Sequence, residues 1–111
     1  MKISYSILCH NEDETLEKLL QNLISYKEPQ DEIVVLDDYS DNEKTKAILD
    51  YYHSTNDIKL EQRNLLHDFA SQKNYLKNMC SGDYSFNLDA DEMVSHWFIK
   101  DIHDILEGNE V

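Results

Sequence analysis

Residues 32–37, "EIVVLD", constrain the fold more than any other stretch of this chain. Ile33, Val34, Val35 and Leu36 form an unbroken apolar run, so both faces of the strand they make need cover. Such a strand belongs inside a sheet with helices above and below it. The flanking sequence supplies them. "ISYSILC" (3–9) reads as a preceding strand, and Leu16, Leu19, Leu20, Leu23 and Ile24 then recur at helical spacing before Pro29. Downstream, Ala47, Ile48, Tyr51 and Tyr52 mark a second helix, and "DIKLEQ" (57–62) a weaker third strand. A third helix is expected over about 69–80 with Leu76, Met79 and Cys80 inward, stopping at Gly82. "YSFNLD" (84–89) alternates as a fourth strand, and Phe98, Ile99, Ile102, Ile105 and Leu106 line a last helix that stops near Gly108. Helix starts are expected at Asn11 with Glu14, at Ser40 with Glu43, and at Ser95.

Strands alternating with helices predict the α/β class: a Rossmann-like parallel sheet of about four strands with helices on both faces. Ligands of such sheets bind beyond the carboxyl ends of the strands. The segments that follow the four strands are "CHNE", "LDDYSD", "RNLLHDF" and "LDADE", and these are the places to look for chemistry.

The 111 residues suit one modest domain, residues 1–111, with one core. The balance of 23 acidic against 10 basic residues argues against a nucleic-acid backbone as partner. It is compatible with an acidic pocket offset by a bound cation. No apolar run approaches membrane-spanning length, so no transmembrane segment is expected. Met1 leads directly into an expected strand, so no signal peptide is expected, and Cys9 and Cys80 lack CxxC spacing. Reduced thiols and a cytoplasmic location are the expectation. A zinc site at Cys9, His10 and Cys80 has no recognised spacing, and a calcium loop at Asp89–Glu92 lacks its glycine and its distal glutamate. His96 and His103 read as surface residues. The aromatics Tyr51, Tyr52, Trp97 and Phe98 read as core or as an uncovered surface.

Two acid clusters stand at strand ends. Asp89 and Asp91 are two apart, so an extended backbone points both carboxylates one way. Paired carboxylates repel unless a cation joins them. Mg²⁺ or Mn²⁺ takes oxygen ligands at ~2.1 Å and shares itself between carboxylates and phosphates. A solvated turn is the plain alternative for a lone DxD; its place on the ligand-binding edge favours the metal. Asp37 and Asp38 end the second strand, where a carboxylate suits an imide N–H or a ribose hydroxyl. For Asp38, capping the next helix is an equal alternative.

"ISYSILCHNEDETLEKLLQNL", "DEIVVLDDYSDNEKTKAIL", "FASQKNYLKNMCSGDY" and "FNLDADEMVS" follow in order. Together they resemble the N-terminal half of a family-2 glycosyltransferase of the GT-A fold. The "ASQKN…GDY…LDADE" stretch is similar to the branch of lipooligosaccharide-core β-glucosyltransferases. The resemblance implies a UDP-sugar donor, a UDP-hexose, and inverting transfer to a glycan or other hydroxyl acceptor. It implies that Leu8, Cys9, His10, Asn11 and Glu12 lie by the nucleoside. Asp37 would hold base or ribose with Asp38 assisting. Lys73 and Asn74 would lie near the diphosphate or donor sugar. Asp89 and Asp91 would hold Mn²⁺ or Mg²⁺ on the diphosphate, with Glu92 in support.

The chain departs from the family at Tyr39, where glycine is common; at Cys9; and at Asp68–Phe69, where a glycine often precedes the third helix. It also stops one helix after the DxD, so a donor-binding part without an acceptor half or general base is expected, and no catalytic residue is assigned. A non-catalytic nucleotide-binding module is the alternative function. The 111 residues alone are expected to bind donor without transferring sugar, and to self-associate through an uncovered sheet edge.

Overall fold

The computed structural model describes residues 1–66, 68–90 and 96–106. Four strands and four helices alternate: β1 Ile3–Cys9, α1 Glu14–Tyr26, β2 Glu32–Asp37, α2 Glu43–Ser54, β3 Lys59–Gln62, α3 Phe69–Met79, β4 Tyr84–Asp89 and α4 His96–Leu106. The strands form one all-parallel sheet in the order β3-β2-β1-β4. Leu8 pairs with Asp89, Cys9 with Asp37, and Asp37 with Gln62, so the carboxyl ends of all four strands share one edge.

The apolar run of β2, Ile33 to Leu36, is fully covered. Ile33 and Val35 join Ile3, Tyr5 and Ile7 in the larger core, which contains the apolar stripes of α1, α2 and α4. Val34 and Leu36 face the other way, onto Leu76 of α3. Helices therefore lie on both faces, three against one. Burying a leucine or isoleucine contributes about 1.5–3 kcal/mol, and Leu16, Leu19, Leu20 and Leu23 of α1 are all buried as their spacing requires.

Several local readings shift. The helix caps are Asp13 for α1, Asn42 for α2 and Asp68 for α3. Asn11 and Ser40 are not caps; both are consumed in the loop network described below. Ser95 lies outside the described residues. The buried stripe of α2 is Thr45, Ile48 and Leu49, whereas Ala47 is exposed and Tyr51 stands 62% exposed over Tyr52. β3 starts at Lys59, two residues later than expected, although Ile58 before it is buried. Trp97 and Ile105 of α4 are exposed, while Phe98 packs on Phe86.

His103 is a correction. It is nearly buried, and its Nε2 lies 2.7 Å from Asp31 Oδ2. Asp31 Oδ1 accepts from the Ile3 amide at 2.8 Å. The pair ties α4 to the start of the sheet, which is why neither side chain faces solvent.

Candidate functional site

Beyond the carboxyl ends of β1, β2 and β4 lies a cavity of about 550 Å³. Its apolar wall is Leu8, Leu36 and Leu65, with Phe69 63% exposed beside them. Its charged groups are Glu12, Asp38 and Asp89 against one ammonium, Lys73, and His10 and Gln72 complete the polar wall. The volume suits a small organic ligand. Three carboxylates facing one lysine suit an anionic ligand only if a cation comes with it.

The loop after β1 is built first. Asn11 has φ 63°, and its Oδ1 accepts from the amides of Asp41 and Asn42 at 2.8 and 3.1 Å. Asparagine tolerates this left-handed conformation. Its own amide donates to Ser40 Oγ at 2.8 Å. Asn11 thus clamps the β1 and β2 loops together and does not line the cavity. Glu12 does line it, and accepts from the His10 amide at 2.6 Å. Burial first, and then the neighbouring Glu12 and Asp37 carboxylates, push the Cys9 thiol far up, so it sits in the wall as an unreactive neutral group.

The two acids at the end of β2 part company. Asp37 is 1% exposed. It accepts from the Ser40 hydroxyl at 2.5 Å and the Ser40 amide at 3.1 Å, and Gln62 donates to it at 3.3 Å. It does not line the cavity. Asp38 does: its Oδ1 accepts from the Leu65 amide at 2.9 Å, and its Oδ2 lies 3.8 Å from His10 Nδ1. His10 Nδ1 is also 2.6 Å from the Asp38 carbonyl oxygen, so the tautomer protonated at Nδ1 donates there.

Tyr39 takes φ 42°, the left-handed backbone at which glycine is free and a Cβ is strained. Its ring is 52% exposed and contributes little packing. Tyr39→Gly is therefore expected to raise stability by up to about 1 kcal/mol, read as a higher urea midpoint at unchanged slope.

On the third segment, Arg63 holds the loop to α3. Its guanidinium donates to Gln72 Oε1 and Ser71 Oγ, both at 2.9 Å, and lies 4.9 Å over the Tyr75 ring. Gln72 returns a bond to the Arg63 carbonyl at 2.6 Å. Leu65, Phe69 and Gln72 were not singled out from the sequence. Their segment was, and helical spacing from Phe69 to Gln72 and Lys73 gives the only signal that one helix turn lines the site. Lys73 reaches the cavity, whereas Asn74 lines a neighbouring groove. Asp89 and Ala90 close the cavity at the end of β4. Asp91 and Glu92 lie outside the described residues. Among the described residues, no group of three or more His, Cys, Asp or Glu converges as a metal cage.

A parallel sheet of order 3-2-1-4 with a polar cleft beyond its carboxyl ends defines a Rossmann-like α/β protein of the GT-A type. The pattern of glycosyl transferase family 2 spans residues 4–111, and the chain belongs to that family. Poly-beta-1,6-N-acetyl-D-glucosamine synthase of Staphylococcus epidermidis is 28% identical over 92 residues, which are 83% of this chain and 22% of that protein. Among solved structures, S. aureus TarS 1–349 superposes with TM-score 0.82 at 23% identity, over 97% of this chain and 33% of the other. Its complex with UDP-GlcNAc gives 0.78 at 23% identity, over 97% and 32%. The mannosyltransferase PcManGT from Pyrobaculum calidifontis, in complex with GDP-Man and Mn²⁺, gives 0.62 at 21% identity, over 80% and 27%. The chain thus spans about a fifth of the synthase and a third of TarS 1–349. Among the described residues no helix is long and apolar enough to cross a membrane.

Proposed function

We propose that this chain binds a nucleotide-sugar, a UDP-hexose, together with Mn²⁺ or Mg²⁺, as the donor part of an inverting glycosyltransferase. The observation that carries the reading is the cavity's charge pattern, Glu12, Asp38 and Asp89 against Lys73, on the carboxyl edge of the sheet. The family membership and a TarS complex with UDP-GlcNAc support it. In this reading Asp38 and His10 face the nucleoside, with Leu65 and Phe69 as its apolar walls. Asp38 keeps Oδ2 available to accept from a ligand N–H while Oδ1 holds the Leu65 amide. Asp37 and Asn11 act by shaping the two loops rather than by touching ligand. Lys73 faces the diphosphate, with Asn74 behind it.

The donor set suits a hard cation in part. Asp89 supplies one carboxylate at the cavity, and phosphate oxygens would supply others. Asp91 is proposed as the second protein ligand. The ion would offset the diphosphate charge that three carboxylates otherwise repel. An acceptor hydroxyl, a cytoplasmic setting and self-association remain part of the proposal.

Calorimetry of the 111-residue chain with UDP, with Mn²⁺ and then with EDTA, tests it. Binding is expected with metal and strongly weakened without. At UDP a hundredfold above Kd the chain should gain about 2.7 kcal/mol of stability. No heat at millimolar UDP with metal would overturn the assignment.

A further inference from the structure

We propose that the groove between α3 and β4 is a second, anion-binding subsite, which takes a phosphate-ester group of the acceptor. As an acceptor subsite it rests on the donor reading, because Lys73 borders both cavities.

The groove encloses about 270 Å³. Lys73, Asn74 and Lys77 line one side and Ser85 and Asn87 the other, with Leu76 below. Lys73 and Lys77 are one turn apart on α3, so their Cα atoms are ~6 Å apart. Ser85 and Asn87 point to the same face of β4 and repeat at ~6.7 Å. A cationic row therefore faces a row of neutral donors at matching spacing.

Ser6 also lines the groove and donates its hydroxyl to the Phe86 carbonyl at 3.5 Å, whereas the other five polar side chains are unspent. Among the described residues none of these five polar side chains makes a hydrogen bond or an ion pair, although all five are exposed. Elsewhere Lys2 and Lys59 both meet Glu32 and Lys44 meets Glu14, whereas Lys18, Lys27, Lys46, Arg63 and Lys100 make no ion pair among the described residues. In a chain of 23 acidic against 10 basic residues, Lys73 and Lys77 one helical turn apart make a local excess of positive charge on the groove side, and like charges at this spacing repel. Ammonium groups supply charge, and amide and hydroxyl groups supply directed donors. That pairing fits an oxyanion flanked by hydroxyls better than a neutral sugar, which has no use for the two charges.

The isotope-labelled chain is titrated with glycerol 1-phosphate, and with glycerol as the uncharged control, each with and without saturating UDP and Mg²⁺. Glycerol 1-phosphate alone is expected to shift the Asn74 and Asn87 side-chain amide resonances, and to do so with UDP present. Lys77→Glu, outside the donor cavity, should weaken that binding roughly fivefold or more and leave UDP affinity unchanged. Equal shifts with glycerol, no shifts, or shifts abolished by UDP would overturn the subsite. A silent UDP titration beside an intact groove response would instead remove the donor reading and keep the anion site.

Discussion

Asp37→Ala is expected to cost about 2–4 kcal/mol of stability, whereas Asp38→Ala costs little and removes most of the UDP affinity. The two neighbours differ because strand geometry sends them to different places. Asp37 ends β2 in phase with Ile33 and Val35, so its carboxylate turns under the loop. There it takes the Ser40 hydroxyl, the Ser40 amide and the Gln62 amide. Truncation leaves the two buried Ser40 donors unsatisfied, at about 1–3 kcal/mol for each group with no water to replace the acceptor, while the exposed Gln62 amide can turn to solvent. Asp38 lies past the strand. Its removal frees only the Leu65 amide, which borders the cavity where water can reach it. A ligand N–H that it would accept is a charge-assisted bond, and losing one of these costs roughly ten- to a hundredfold in affinity. Urea midpoints and UDP calorimetry on both variants provide the check. A folded, stable Asp37→Ala with lost UDP binding, beside an unaffected Asp38→Ala, would reverse the assignment. Uridine without metal should follow the same order, because Asp38 lines the cavity whereas Asp37 holds the loop behind it.

The sheet and its helices were legible because each depends on periodicity. α1 reads from four leucines on one face, and β2 from a run that no half-exposed strand carries. The division between Asp37 and Asp38 was legible in principle, since counting by twos from Ile33 reaches Asp37 and not Asp38. The chemical habit of reading the first acid as the ligand hid that parity. The cap of α2 was a tie in the sequence: Ser40 precedes Glu43 by three, and Asn42 precedes Thr45 by three. Ser40 lost because the buried Asp37 carboxylate claims its hydroxyl and amide. The Asp31–His103 pair spans 72 positions and leaves no local trace. The residue set of the cavity was half legible. The strand-end rule found Cys9, His10, Glu12, Asp38 and Asp89, but the walls from Leu65 to Gln72 depend on how the β3–α3 loop returns over the sheet.

Gly82→Ala should destabilise the chain by about 1–3 kcal/mol, although the residue lies in an ordinary-looking loop before β4. A Cβ at position 82 would lie 2.8 Å from both the Lys2 carbonyl oxygen and the Ser4 amide nitrogen, and 2.7 Å from Ser4 Oγ. Two of the three atoms are backbone, so the side chain cannot be accommodated by a rotamer change. The strand start must move instead. That movement reaches a polar network. The Gly82 amide donates to Ser4 Oγ at 2.8 Å, and Ser4 Oγ donates to Glu32. Ser81 donates to the same carboxylate through its amide at 2.6 Å and its hydroxyl at 3.0 Å, and Lys59 Nζ lies 2.6 Å away. Burial alone would raise the Glu32 carboxyl, but the bonds from Lys59, Ser4 and Ser81 outweigh it and bring the group from 4.5 to about 2. A depressed carboxyl contributes stability that is complete above its unfolded value and lost as pH falls through the folded one. In the unsubstituted chain this contribution should persist at neutral pH and fade between about 4.5 and about 2. With Ser4 and Ser81 displaced, the carboxyl moves back toward its ordinary value. The acid-unfolding midpoint of Gly82→Ala should then lie at higher pH, beyond the shift that its lower stability at pH 7 produces. Ser85→Ala, an exposed position on the next strand, should stay within about 0.5 kcal/mol of the parent. Circular dichroism across pH 2–7 on the three chains reads both effects. An alanine variant with the parent's urea midpoint and acid transition would mean that the strand start yields freely at this contact.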